Sequence, residues 1–200
     1  MYTIIQNIRH RLPFLWTFIE SANAALFRLR YGRNLKLIPQ ILSKYSDNDV
    51  SYSIADNNDA PKLALFFQRQ PNEAFKYFRP HEFDEISIRK LIGNPSFIMI
   101  IAKCNSEIAG YSFLRCFANG KAFRGKIVDI DFRGRGLAKK IGFLTTEITS
   151  CLGLSLFGTI SRSNISSMES SKSSNEIKIL KELSDNYLLI QYLPKRTYIR

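Results

Sequence analysis

Apolar and polar positions divide this chain into short strands and helices of distinct period. Leu15, Phe18, Ile19, Ala22, Leu26 and Leu29 recur at i, i+3, i+4 spacing and predict an amphipathic helix. Arg28, Arg30 and Arg33 stand at its C-terminal end, where cations complement the helix dipole. Asp47-Asn48-Asp49 breaks the pattern, and Val50–Ile54 follows as a short strand. Asp59 and Pro61 predict the capped start of a helix through Gln68. Phe83–Ile92 reads as another helix, with Ile86, Ile88, Leu91 and Ile92 as its apolar positions, stopped by Gly93-Asn94-Pro95. The unbroken run Phe97–Lys103 has strand length. Ile108–Phe117 and Lys121–Phe132 are strands joined at Asn119-Gly120, a hairpin turn signal. Leu137, Ile141, Leu144 and Ile148 mark a helix ending near Cys151, and Leu154–Ser161 returns to strand. Asn164–Lys172 reads as a short polar helix, and Ile177–Leu183 and Tyr187–Leu193 as a hairpin about Asp185-Asn186. This order predicts an α/β fold, a mixed and mostly antiparallel sheet with helices on both faces. Residues 1–46 form a basic helical extension and 47–200 the main domain.

Two hundred residues with 45% apolar content suffice for one buried core without a disulfide or metal staple. Cys104, Cys116 and Cys151 are odd in number and far apart, which fits free thiols in the cytoplasm, with Cys151 packed at a helix end. His10 and His81 are the only histidines, so no metal site is expected.

Charge changes the picture at the N-terminus. The net charge of +12 calls for an anionic partner: nucleic acid, a membrane surface or a phosphorylated ligand. Residues 1–45 hold Arg9, Arg11, Arg28, Arg30, Arg33, Lys36 and Lys44 against Glu20 alone, half of that excess. Met1–Arg11, the run Leu12–Ile19 and Ala22-Asn23-Ala24 imitate a secretory signal, but Pro13 interrupts the run and Glu20 follows it. The expectation is therefore a cytoplasmic protein. No run approaches the ~20 apolar residues of a membrane-spanning helix. Two readings of the basic helix stay open: docking on the domain or on a second copy as a homodimer, and peripheral contact with anionic lipid at the inner face of the membrane.

Arg133-Gly134-Arg135-Gly136-Leu137-Ala138 lies between a strand and a helix. Such a junction offers backbone N–H groups without helical partners and the positive end of the helix dipole, a seat for a pyrophosphate. Glycine there lets phosphate approach the backbone. The spacing is neither that of a P-loop nor that of a Rossmann dinucleotide fingerprint.

The stretch Val128–Ala138 (VDIDFRGRGLA) resembles the signature of the GNAT acetyltransferases, Gln/Arg-x-x-Gly-x-Gly/Ala, with Arg133, Gly136 and Ala138 in its three defined positions. Asn164-Ile165-Ser166-Ser167 resembles the family's Asn-x-x-Ala/Ser element, and the element order from Val50 onward is similar too. Tyr77–Phe83, with Gly110-Tyr111 and Leu114-Arg115, is similar to a subset of the family that modifies bacterial surface polysaccharides and amino sugars. The resemblance implies direct transfer of acetyl from acetyl-CoA, without a metal, to a small amine. An amino sugar, nucleotide- or lipid-linked, is the favoured acceptor. By the same resemblance, the fourth and fifth strands splay and backbone near Val128 and Ile130 binds pantetheine and polarises the thioester. Asn164 contacts pantetheine, and the N–H groups of Arg133, Gly134, Arg135, Gly136, Leu137 and Ala138 hold the pyrophosphate.

Many members protonate the leaving thiolate with a tyrosine followed by Gly-Phe; this chain has Ser171 and Asn175-Glu176 at those places. Serine is a poor acid on its own, so Ser171 acts through water or another residue serves. His81, with a near-neutral intrinsic pKa, and Asp129 are the candidate bases, each weighed against a packing or ion-pairing role. Two rivals stand beside the enzyme: a basic nucleic-acid-binding protein, and a GNAT-fold adaptor without catalysis.

Overall fold

A computed structural model describes residues 13–195, with side chains from Thr17 onward. The signal-like lead Met1–Leu12 and the side chain of Leu15 lie outside the described residues.

Helices α1 (Pro13–Leu35) and α2 (Ile38–Tyr45) precede β1 (Ser51–Ile54). Then come α3 (Ala60–Gln68), α4 (Glu85–Ile92), and the meander β2 (Phe97–Cys104), β3 (Glu107–Cys116) and β4 (Lys121–Val128). Helix α5 (Leu137–Cys151), β5 (Ser155–Ser161), α6 (Ile165–Ser174), β6 (Asn175–Glu182) and β7 (Tyr187–Pro194) complete the chain. The sheet order is β1-β2-β3-β4-β5-β7-β6. Every neighbouring pair is antiparallel except β4 with β5.

The nearly continuous apolar run of β2 is buried on both faces of the sheet, because helices cover both. On one side Leu137, Ile141, Leu144 and Ile148 of α5 pack with Phe27, Tyr31, Ile38 and Leu42 of α1 and α2. On the other, Leu63, Phe66 and Phe67 of α3 and Ile88 of α4 meet Met99, Ile101 and Tyr111. Residues of the N-terminal helices thus share one core with the sheet.

Several local expectations shift. Helix α1 does not dock by its expected stripe: Phe18, Ile19, Leu26 and Leu29 are exposed, Leu29 by 85%. It docks through Asn23, Phe27 and Tyr31 instead. The Asn23 amide donates to the Cys116 carbonyl (3.0 Å) and accepts from Ala118 N (3.0 Å), capping the open end of β3. Asp59 stands at the N-cap of α3 with Pro61 in the first turn, but its side chain makes no cap hydrogen bond; its carboxylate binds Lys103 (2.9 Å) and the amide of Asp56. Helix α4 begins two residues later than expected because the Asp84 carboxylate caps it through Ser87 N, and Ile86 faces solvent. Cys151 is exposed rather than packed. Strand β4 stops at Val128, where Asp129 turns the chain into a 3-10 turn over Ile130–Phe132.

Candidate functional site

Strands β4 and β5 run parallel for three residue pairs only, from Lys121↔Ser155 to Phe123↔Phe157. Beyond Phe123 the two separate. The other edge of β4 stays paired with β3 through Val128, and the other edge of β5 with β7 through Ser161. The separation therefore opens a wedge between two strand edges, and the polar groups of Arg124–Val128 and Thr159–Ser161 face a cleft of about 680 Å³. An extended, amide-bearing ligand can satisfy such edges as an added strand does.

The mouth of this cleft reaches Arg133, Gly134 and Ala138. Gly134 and Gly136 both take φ = +77°, the left-handed region where a side chain is strained. Gly136 is the N-cap of α5, and its carbonyl receives the N–H groups of Lys139 and Lys140. The amides that precede them in the first turn have no acceptor within the helix, and no acidic side chain sits in that turn. Arg135 stacks on Phe132 (5.0 Å) and Leu137 is buried in the core, so their side chains serve the turn rather than the cleft. Asn164 lines the cleft, and its side-chain oxygen accepts from Ser167 N, capping α6.

The expected bases fall elsewhere. Asp129 is almost fully buried. One of its oxygens accepts from Arg69 Nε (2.7 Å) and Gln70 Nε2 (2.7 Å), the other from Asp131 N (3.0 Å). It straps the end of α3 to the end of β4 and does not line the cleft, so its lone pairs are occupied by structure. Ile130 is half-exposed on the 3-10 turn, off the strand edge where its backbone was expected to meet pantetheine. Val128 remains on that edge.

His81 also lies outside the cleft. It is packed edge-on against Phe67, Phe83, Phe97 and Tyr111. Its Nδ1 faces the Glu82 carbonyl at 2.6 Å, which can only accept, so Nδ1 carries the proton and Nε2 accepts from Tyr111 O–H at 2.9 Å. Desolvation holds its pKa below the ordinary histidine value. Both ring nitrogens are committed to the packing of this aromatic cluster.

Ser171 does line the cleft, and its buried hydroxyl has no hydrogen-bond partner among the described residues. Two basic residues that sequence reasoning missed stand beside it. Arg124 is buried and donates to the Gly142 carbonyl (3.0 Å), Thr145 Oγ1 (2.9 Å) and Asn175 Oδ1 (2.9 Å). Its guanidinium lies 3.6 Å from the centre of the Tyr192 ring. Lys126 Nζ donates to the Ala138 carbonyl (2.7 Å) and Ser170 Oγ (2.8 Å). Burial, and then the Arg124 charge, bring its pKa down to about 6. Alternation along β4 places Arg124 and Lys126 on the face toward α5, but nothing local in the sequence says that α5 and α6 leave a cleft there.

At the far end the cleft is lined by Glu73, Tyr77, Phe78 and Arg79, from the segment between α3 and α4. Among the described residues there is no group of three His, Cys, Asp or Glu side chains arranged to hold a metal. None of the described helices is long and apolar enough to cross a membrane.

No family model and no curated protein matches the chain by sequence. Solved structures do. The spermidine N-acetyltransferase SpeG chimera from Vibrio cholerae and hSSAT superposes with a TM-score of 0.61 at 12% identity, over 74% of this chain and 96% of that one. The GNAT domain of S. lividans PAT gives 0.60 at 11% identity, over 72% and 89%. Aminoglycoside acetyltransferase AAC(6')-Ib, solved with coenzyme A and kanamycin, gives 0.57 at 12%, over 73% and 95%. The chain therefore has the GNAT acetyltransferase fold.

Proposed function

We propose that this chain is an acetyl-CoA-dependent N-acetyltransferase acting on a small amine, with an amino sugar as acceptor. The carrying observation is the wedge between β4 and β5 with a glycine turn and a helix N-terminus at its mouth. Pantetheine would lie along the edge of β4 around Val128, its amides pairing with the strand. The pyrophosphate would rest on the first-turn amides of α5 beside Arg133. Structural neighbours support the reading, since those solved with ligands hold coenzyme A or acetyl-CoA together with aminoglycosides. For the acceptor, Glu73 suits an ammonium, the rings of Tyr77 and Phe78 suit a sugar face, and Arg79 suits a phosphate. The reading keeps the protein in the cytoplasm. The exposed side of α1, with Phe18, Leu26 and Leu29 beside Arg28 and Arg33, is the surface for anionic lipid or for a second copy. Vesicle co-sedimentation and sizing tell those two apart.

The test of the donor is thermal. A ligand at 100 times its Kd adds about 2.7 kcal/mol to the folded state, a shift of roughly 5–10 °C in a chain of this size. Acetyl-CoA should give that shift, and pantetheine alone far less. Gly136→Glu places bulk and negative charge at the α5 N-cap and should remove most of it. A large shift with short nucleic acid and none with acetyl-CoA would reverse the reading.

A further inference from the structure

Among the described residues, Lys126 is the lysine whose amine is buried beside another cation. It projects from the β4 edge of the cleft, behind the two hydroxyls that α6 offers there, Ser170 and Ser171. Ser170 Oγ takes a hydrogen bond from Nζ, and the neighbouring Ser171 Oγ is buried without a partner. Ser171 is the position where many members of this fold family carry a proton-donating tyrosine, so a group able to move a proton is missing from that side chain and present on its neighbour's hydrogen-bond partner, the Lys126 amine.

The charges around Nζ disfavour an ammonium. Arg124, two residues earlier on the same face of β4, is a buried cation whose partners among the described residues, Gly142, Thr145, Thr146, Asn175 and the Tyr192 ring, are all uncharged. From α5 the neighbours are the Ala138 carbonyl and Gly142, neither titratable. From α6 they are the hydroxyls of Ser170 and Ser174, while Glu169 and Lys172 pair with each other on its exposed side. The remaining titratable or charged groups lining the cleft are Glu73, Tyr77, Arg79, Arg133, Tyr187 and Tyr192, of which Glu73 alone is acidic.

We propose that the Lys126 amine is the proton carrier of the acetyl transfer, taking the place of the absent tyrosine; this rests on the reading of the cleft as an acetyl-CoA site. The neutral amine accepts the N–H proton of the attacking acceptor as the C–N bond forms. When the C–S bond breaks, the Lys126 ammonium returns that proton to the departing thiolate, directly or through the Ser170 and Ser171 hydroxyls. Acetyl moves from sulfur to nitrogen, one proton moves from nitrogen to sulfur, and Lys126 ends neutral. With an ammonium pKa of about 6, against an ordinary thiol value near 8.5, the return step runs downhill. One residue then serves as base and acid, and neither His81 nor Asp129 has to leave its structural bonds.

The full chain is assayed with acetyl-CoA and methoxyamine, an amine small enough to enter the cleft and so weak a base that it stays unprotonated where Lys126 titrates, with released thiol as the readout. Wild-type turnover should fall on the acid side with a midpoint near 6. Lys126→Met and Lys126→Arg should each lose about 10²- to 10⁴-fold in kcat and lose that acid limb, while keeping the acetyl-CoA melting shift. Arginine retains the hydrogen-bond donors but does not give up a proton, so rescue by Lys126→Arg overturns the proposal. A second readout needs no acceptor: trace labelling with acetic anhydride, followed by peptide mass spectrometry. Lys126 should titrate well below the exposed Lys62 and Lys178, and coenzyme A should protect it. If Lys126 labels with the midpoint of the exposed lysines, the proposal is overturned even where thiol release is intact. If acetyl-CoA neither raises the melting point nor protects Lys126, the cleft assignment itself falls and takes the proposal with it.

Discussion

Replacing Asp129 with asparagine separates a structural carboxylate from a catalytic one. In the native protein its two oxygens accept three hydrogen bonds from buried or half-buried donors: Arg69 Nε, Gln70 Nε2 and Asp131 N. Asparagine keeps an oxygen for Asp131 N but turns an N–H₂ toward Arg69 and Gln70. A charge-assisted bond is worth about 1.5–3 kcal/mol and a neutral one about 1, so the loss comes to about 3 kcal/mol. Arg69 is 43% exposed and recovers part of its hydration, which keeps the figure below the ~3–5 kcal/mol of a fully buried pair. For a chain of this length 3 kcal/mol lowers the melting point by roughly 6–12 °C. Differential scanning calorimetry gives the stability and thiol release from acetyl-CoA the activity, both below the variant's melting point. The expected outcome is a destabilised protein with most of its turnover left. A variant that melts with the wild type and has lost turnover would refute the strap and restore Asp129 as a base.

Phe27 is fully buried between α1 and the sheet, so Phe27→Ala should cost about 3–5 kcal/mol in urea unfolding; a loss under 1 would mean that α1 is an appendage. The depressed pKa of His81 has a definite sign: the unfolded chain binds its proton first, so stability falls as pH drops below about 6.5. His81→Phe should flatten that slope in pH-dependent melting, and an unchanged slope would show that the aromatic box does not depress the histidine.

What was legible in the sequence is what short-range chemistry fixes. The 3–4 spacing of Leu137, Ile141, Leu144 and Ile148 admits one buried face, and all four are in the core. Gly134 and Gly136 are conformational necessities of the turn that starts α5, so the motif announced its own geometry. The antiparallel meander followed from apolar runs separated by turn residues such as Asn119-Gly120. Tertiary structure decided what depends on distant partners. The docked side of α1 was set by the open end of β3, which needed Asn23, and by the i, i+4 aromatic pair Phe27 and Tyr31, rather than by the more apolar stripe beside them. Asp129 reads as a free carboxylate until α3, some sixty residues earlier in sequence, brings Arg69 and Gln70 to it. Lys126 and Arg124 read as ordinary basic positions on a strand. Only the parting of β4 from β5, and the packing of α5 on α6 where Gly142 leaves room for Ser174, put them at the base of a cleft where their hydrogen-bond partners among the described residues are uncharged. A pattern of period two tells which face a side chain takes, and the dielectric it meets there is set by chains that arrive from elsewhere in the fold.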